Sequence, residues 1–98
     1  MNREQIQQII FDALEAANQS REDTEQILIS PGAPLYGDRG QLDSMSLVAL
    51  LIDIEEALQD EGFRVSLGDE QAMSQSRSPF RDVPSLIAHI EHLLGKNS

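Results

Sequence analysis

Cysteine and tryptophan are absent, and the aromatics amount to one tyrosine and three phenylalanines. Without cysteine, a disulfide framework and thiolate metal sites are excluded. Any thiol chemistry would have to come from a group added to the polypeptide. Scarce aromatics leave the core to Leu, Ile, Val and Ala. Positive charge is also short: seven Lys and Arg stand against 17 Asp and Glu, for a formal net charge of −10. Such a surface argues against nucleic acid and anionic membranes and for partners with basic patches, reached by electrostatic steering. An acidic surface also serves solubility alone. No apolar run is long enough to span a bilayer and no N-terminal stretch has signal-peptide character. The expected setting is therefore the cytoplasm, without membrane insertion, and the acceptor pattern Asn18-Gln19-Ser20 is discounted for glycosylation.

What is present suits one small domain covering residues 1–98: 40% apolar residues, no repeats and no internal boundary. A first helix is expected over about 3–17, with Ile6, Ile9, Ile10, Leu14 and Ala17 on one face. Asn2 with Gln5 resembles a capping box, and Asn18-Gln19-Ser20 ends the helix. A long connection follows over about 18–42. Ser20 is placed to cap a short turn through Arg21-Glu22-Asp23-Thr24, and Pro31-Gly32-Ala33-Pro34 forbids regular structure. Its expected core pins are Ile27, Leu28, Ile29, Leu35, Tyr36 and Leu42; Ile27-Leu28-Ile29 also reads as a strand without a partner. Past Gly62, Phe63-Arg64-Val65-Ser66-Leu67 reads as an extended segment plugged into the core, and Asp69–Met73 as a short third helix. Ser74–Pro79 is loop, with Phe80 as an anchor. Asp82 caps a last helix with Pro84 in its first turn, a buried face of Val83, Leu86, Ile87, Ile90, Leu93 and Leu94, and a stop at Gly95. His89 and His92 on that helix are too few for a metal site without further ligands, and read as surface histidines near a helix C-terminus.

The second helix is the stretch around which the rest is organised. It runs from 44 to about 60, after the glycine-rich turn Tyr36-Gly37-Asp38-Arg39-Gly40. At about 100° per residue, Leu47, Leu50, Leu51, Ile54 and Leu58 face the core, while Ser46, Ala49, Asp53, Glu56 and Asp60 face away. Met45, Val48 and Ile52 lie between, on the flank nearest Ser44, where they either widen the core or form a patch for a partner. Met suits such a patch because it is flexible and polarizable. Asp43 and Ser44 are both good N-cap residues. Ser44 is thus either only a cap or a point of covalent attachment.

Gly40-Gln41-Leu42-Asp43-Ser44-Met45, with Leu35-Tyr36-Gly37-Asp38 before it and Asp53-Ile54-Glu55-Glu56-Ala57-Leu58 after it, resembles the acyl carrier proteins. The resemblance covers most of the chain. It implies an all-α four-helix bundle of three longer helices and one short one, with a long loop between the first and second. It also implies 4′-phosphopantetheine attached to Ser44, the serine of an Asp-Ser-Leu motif in which Met45 here replaces leucine. Asp43 matches the motif aspartate, which the resemblance gives a supporting role for the metal of the phosphopantetheinyl transferase. The implied protein is a monomer and not an enzyme. It carries acyl groups as thioesters to loading, condensing or acyltransferase enzymes with basic and apolar docking patches. These would meet Met45, Val48, Ile52, Asp53, Glu55 and Glu56.

The departures point away from a housekeeping fatty-acid carrier. Acidic residues are usual two and five positions after the modified serine, where this chain has Ser46 and Ala49. Leu42-Asp43-Ser44 is also frequent in peptidyl and D-alanyl carriers, so an aminoacyl or peptidyl carrier is the alternative. Overall acidity and loop pattern favour a fatty acyl or polyketide cargo in a specialised pathway. An unmodified acidic helical adaptor would share the charge and helices. A Ser44, His89, Asp43 triad lacks both an oxyanion turn and a Gly-x-Ser-x-Gly elbow.

Overall fold

The computed structural model of the protein describes residues 2–37, 40–67 and 80–96; these form three α-helices, and no β-strand occurs among them. The expected helix at Asp69–Met73, the loop Ser74–Pro79 and the turn residues Asp38 and Arg39 lie outside the described residues.

Helix α1 (Arg3–Gln19) opens with the reciprocal box that its sequence predicts: Asn2 Oδ1 accepts the Gln5 N–H at 2.8 Å, and Gln5 Oε1 accepts the Asn2 N–H at 2.9 Å. Ile6, Ile10, Ala13 and Leu14 are buried, with Ile9 and Ala17 half-buried beside them. The helix runs on to Gln19 because Asn18 does not break it. Asn18 turns its carboxamide onto Ile27 instead, accepting its N–H at 2.7 Å and donating to its carbonyl at 3.0 Å. Ser20 caps nothing that follows: its hydroxyl donates back to the Ala17 carbonyl, and the short 3₁₀ turn η1 lies later than expected, at Asp23–Glu25.

Helix α2 (Ser44–Asp60) is 17 residues long, or about 25 Å at 1.5 Å per residue. Leu47, Leu50, Leu51, Ile54 and Leu58 are its buried residues, the set that the periodicity predicts. Its end is closed by Gly62 at φ +92°, whose N–H reaches the Gln59 carbonyl while Phe63 N–H reaches that of Leu58. That pair of bonds is a Schellman cap, which requires the left-handed conformation that glycine adopts at little cost. Phe63 and Val65 then lie half-buried and Leu67 buried, with Leu67 N–H held by Glu55 Oε1.

Helix α3 (Val83–Lys96) is capped by Asp82, whose Oδ1 accepts the Ser85 N–H at 2.8 Å, and Pro84 sits in the first turn where its missing donor is not needed. Val83, Leu86, Ile87 and Ile90 are buried, Leu93 and Leu94 partly so. Gly95 does not stop this helix, which continues through Lys96. A helical glycine costs about 1 kcal/mol relative to alanine, too little to end a helix alone. His89 is not a surface histidine: half-buried, it meets the Phe80 ring edge-on at 5.7 Å, while His92 is exposed.

Two contacts fix the helix directions. Arg3 Nη1 meets Glu91 Oε1 at 2.6 Å, joining the start of α1 to the end of α3. Arg21 Nη2 donates to Ser46 Oγ at 3.0 Å, joining the exit of α1 to the start of α2. Both later helices therefore run antiparallel to α1, and their N-termini share one end of the bundle with the connection 20–42. That connection is pinned by backbone bonds from Leu35 to Arg81, Tyr36 to Phe80, Val83 to Ala33 and Leu42 to Leu35, all within 3.0 Å. Ile27, Ala33, Leu35 and Leu42 are buried beneath it. Leu28 departs from expectation, with 61% of its surface exposed. The stretch is extended, and alternation puts Ile27 inward and Leu28 outward.

Candidate functional site

The shared end of the bundle presents Ser44 as the first residue of α2. Asp43 is the N-cap, with φ −83° and ψ 176°, and its Oδ1 accepts the Ser46 N–H at 2.7 Å. The capping task therefore falls to Asp43 and leaves Ser44 without it. Ser44 is exposed, and its hydroxyl takes part in no hydrogen bond among the described residues. Leu47 N–H returns to the Asp43 carbonyl at 3.0 Å as the first bond of the helix. The Ser44 and Met45 N–H groups are two of the four orphan donors that every helix start leaves, at the positive end of the α2 dipole.

Asp43 is held below the ordinary carboxylate pKa, first by the Ser46 backbone N–H, then by the Ser46 hydroxyl and by the charge of Arg21. Arg21 comes from the connection and is not visible as a site residue in the sequence. Its guanidinium reaches Ser46 Oγ at 3.0 Å and the Glu25 carbonyl at 3.3 Å. Ser46 thus serves both partners, by its N–H and hydroxyl toward Asp43 and by its oxygen toward Arg21.

The remaining sequence-predicted residues divide by flank. Met45, Val48 and Ile52 do not widen the core; they are 83%, 47% and 48% exposed and lie on the side of α2 nearer Ser44. Asp53 and Glu56 are exposed, while Glu55 is half-buried and engaged with the Leu67 N–H. On the opposite flank, between α2 and the α1–η1 turn, runs a groove of about 850 Å³ bordered by Arg21, Gln26, Ser46, Ala49 and Asp53. Ser44 is not part of its lining. The structure therefore separates an apolar surface beside the serine from a groove behind it that is lined by apolar residues such as Ile27, Leu42 and Leu50 as well as polar ones.

Gln41 is the other residue that the sequence did not single out. Its Oε1 accepts the Leu28 N–H at 2.6 Å, and its Nε2 donates to the carbonyls of Pro34 at 2.7 Å and Leu28 at 3.3 Å. No local pattern in the sequence announces a loop glutamine that bonds thirteen residues back. Gly40 beside it could have been suspected from its place in the glycine-rich turn. A Cβ there would lie 2.6 Å from the Leu35 carbonyl oxygen and 2.7 Å from the Gly37 nitrogen.

Among the described residues no helix is long and apolar enough to cross a membrane, and no group of three His, Cys, Asp or Glu could hold a metal ion. Comparison of the chain with known protein families, with curated proteins and with solved structures gives no match.

Proposed function

We propose that the chain is an acyl carrier protein, modified on Ser44 by 4′-phosphopantetheine and delivering acyl thioesters to partner enzymes of a specialised pathway. One observation carries this reading: Ser44 opens α2 exposed and unbonded among the described residues, because Asp43 does the capping. A serine that served only as a cap would have its oxygen on the N–H of a residue two or three positions on.

Ser44 Oγ is the atom that would displace adenosine bisphosphate from coenzyme A and remain as a phosphodiester oxygen. The Ser44 and Met45 N–H groups, with the α2 dipole, stabilise the negative charge that the phosphodiester carries on its non-bridging oxygens by roughly 0.3–1 kcal/mol at an exposed site. Asp43 stays ionised, so that its Oδ2 is available to the cation that the transferase uses, while Oδ1 keeps the helix start closed. The attached arm supplies a thiol, and with it the thioester chemistry that a chain without cysteine lacks. Met45, Val48 and Ile52, with Glu56 beside them and Asp53 at the border of the groove, offer an apolar surface with carboxylates near it to enzymes with basic-rimmed pockets. The same reading takes the fold to be the carrier family's four-helix bundle, and has the protein act as a cytoplasmic monomer.

Intact-mass measurement after incubation with coenzyme A and a broad-specificity phosphopantetheinyl transferase tests this. The expected result is the mass increment of one arm, lost in Ser44→Ala with the helical circular-dichroism signal unchanged. An unmodified wild type, or an increment that persists in Ser44→Ala, overturns the assignment and leaves an acidic helical adaptor.

A further inference from the structure

We propose that the groove between α2 and the α1–η1 turn is a binding site for a small aliphatic amine, its alkyl part on the apolar floor and its ammonium group between Glu25 and Asp53. The site is independent of the carrier reading, since Ser44 lies outside the lining. Short side chains leave the space open: Ala16 and Ala17 in the last turn of α1, and Ala49 on α2, all border it. Ile27, Leu42 and Leu50, each buried in the core, form its floor. Its volume of about 850 Å³ falls within the roughly 300–1,000 Å³ of small-molecule sites. One side chain reaching in from a partner protein would leave most of it empty. Size therefore selects a free small molecule.

Charge selects its kind. Arg21, Glu25, Asp43 and Asp53 are the charged residues of the lining. Arg21 is already engaged: it donates to Ser46 Oγ and to the Glu25 carbonyl, and its charge acts on the Asp43 carboxylate. The carboxylates of Glu25 and Asp53 remain. Both are exposed, and neither enters an ion pair or a side-chain hydrogen bond among the described residues. They stand on separate elements, η1 and α2, so the surplus negative charge lies on two walls of one groove. A metal ion is a poor match, because no group of three His, Cys, Asp or Glu among the described residues could hold one. An alkylammonium meets both demands. Its three N–H donors serve separate acceptors, and its methylenes leave water against the alanines and Ile27. A carboxylate of the same length would face two like charges with the Arg21 donors already in use.

Amide NMR spectra of the full chain, titrated in turn with hexylammonium, hexanoate and hexanol, test this. Hexylammonium should bind saturably with a Kd on the order of 1 mM, as suits so small a ligand, and move the amides of Ile27, Ala49 and Leu50. Glu25→Gln and Asp53→Asn should each raise that Kd about threefold, the worth of an exposed ion pair. Hexanol, which meets neither carboxylate as a cation, should bind about tenfold more weakly, and hexanoate more weakly still. Ala49→Leu keeps a good helix former on an exposed position and fills the groove, so it should abolish binding with the circular-dichroism signal unchanged. Glu4→Gln removes the same charge from the far end of the bundle and should leave the Kd as it was. Absence of saturable binding by hexylammonium overturns the site. So does binding that survives Ala49→Leu, or a Glu4→Gln variant weakened as much as Asp53→Asn, which would mean that the amine answers only to net charge. Hexanoate binding as tight as that of hexylammonium overturns the ligand class. Each of these results leaves the modification of Ser44 to be decided by its own mass measurement.

Discussion

The Arg21 guanidinium donates to Ser46 Oγ at 3.0 Å across 25 residues of sequence, tying the connection after α1 to the first turn of α2. Since Ser46 N–H is given to Asp43, this bond makes the helix start a small network and not an isolated cap. Ser46→Ala should destabilise the protein by about 1 kcal/mol, the usual net worth of one partly buried hydrogen bond. Urea midpoints would measure it. In the Ser46→Ala background, Arg21→Ala should cost less than it does in wild type; equal costs in both backgrounds would remove the coupling.

Asp43 gives the protein an acid-sensitive helix start. Its folded pKa lies below the ordinary value because the Ser46 N–H, the Ser46 hydroxyl and Arg21 all favour the carboxylate. The sign follows from linkage. The associated stability is fully present above the unfolded carboxylate pKa of about 3.9 and is lost as pH falls through the lower folded value. Asp43→Asn retains a capping oxygen but cannot titrate. Thermal melts from neutral pH downward should therefore show the wild-type advantage over Asp43→Asn shrinking only below about pH 4. A constant difference across that range would mean that the carboxylate charge contributes nothing there.

The helices were legible in the sequence because apolar spacing and cap residues act locally: Asn2 with Gln5, Asp82 before Pro84, and the leucines of α2 all fall where their chemistry requires. The connection was only half legible. Ile27, Leu35 and Leu42 could be recognised as pins from their apolarity, but Leu28 could not be told from them without the alternation of an extended segment. Asn18, Gln41 and Arg21 were invisible as organising residues, since a polar loop side chain reads as solvated until its distant carbonyl or hydroxyl partner is known. Ser44 could be nominated as a site residue, but whether it or Asp43 did the capping depended on the backbone geometry at residue 43.

Gly40 should tolerate no side chain. A Cβ at that position meets backbone atoms of Leu35, Tyr36 and Gly37 at 2.6–2.7 Å, and backbone cannot swing aside as a side-chain tip can. Gly40→Ala should destabilise the fold by about 1–3 kcal/mol, as overpacking of a close contact does. Because Gln41 follows directly, it should also weaken the Leu28 clamp. Denaturant titration and exchange at the Leu28 amide would check the two effects together. A neutral Gly40→Ala would mean that the turn relaxes freely and does not fix Gln41.

Ile52 and Met45 are both exposed on the flank of α2 nearer Ser44, about 10 Å apart along the helix. If a single enzyme covers both while it reaches Ser44, their contributions to binding are independent, and independent sites add in free energy. Ile52→Ser is the cleaner probe than Ile52→Glu, because a glutamate would stand four residues before Glu56 and add repulsion within the helix. Its half-exposed position makes the folding cost of Ile52→Ser less than about 1 kcal/mol. Ile52→Ser and Met45→Ser should each raise the transferase KM, and in the double variant the two fold-changes should multiply. A double variant no worse than the weaker single would mean that the enzyme uses one residue or the other, and the common footprint around Ser44 would have to be given up.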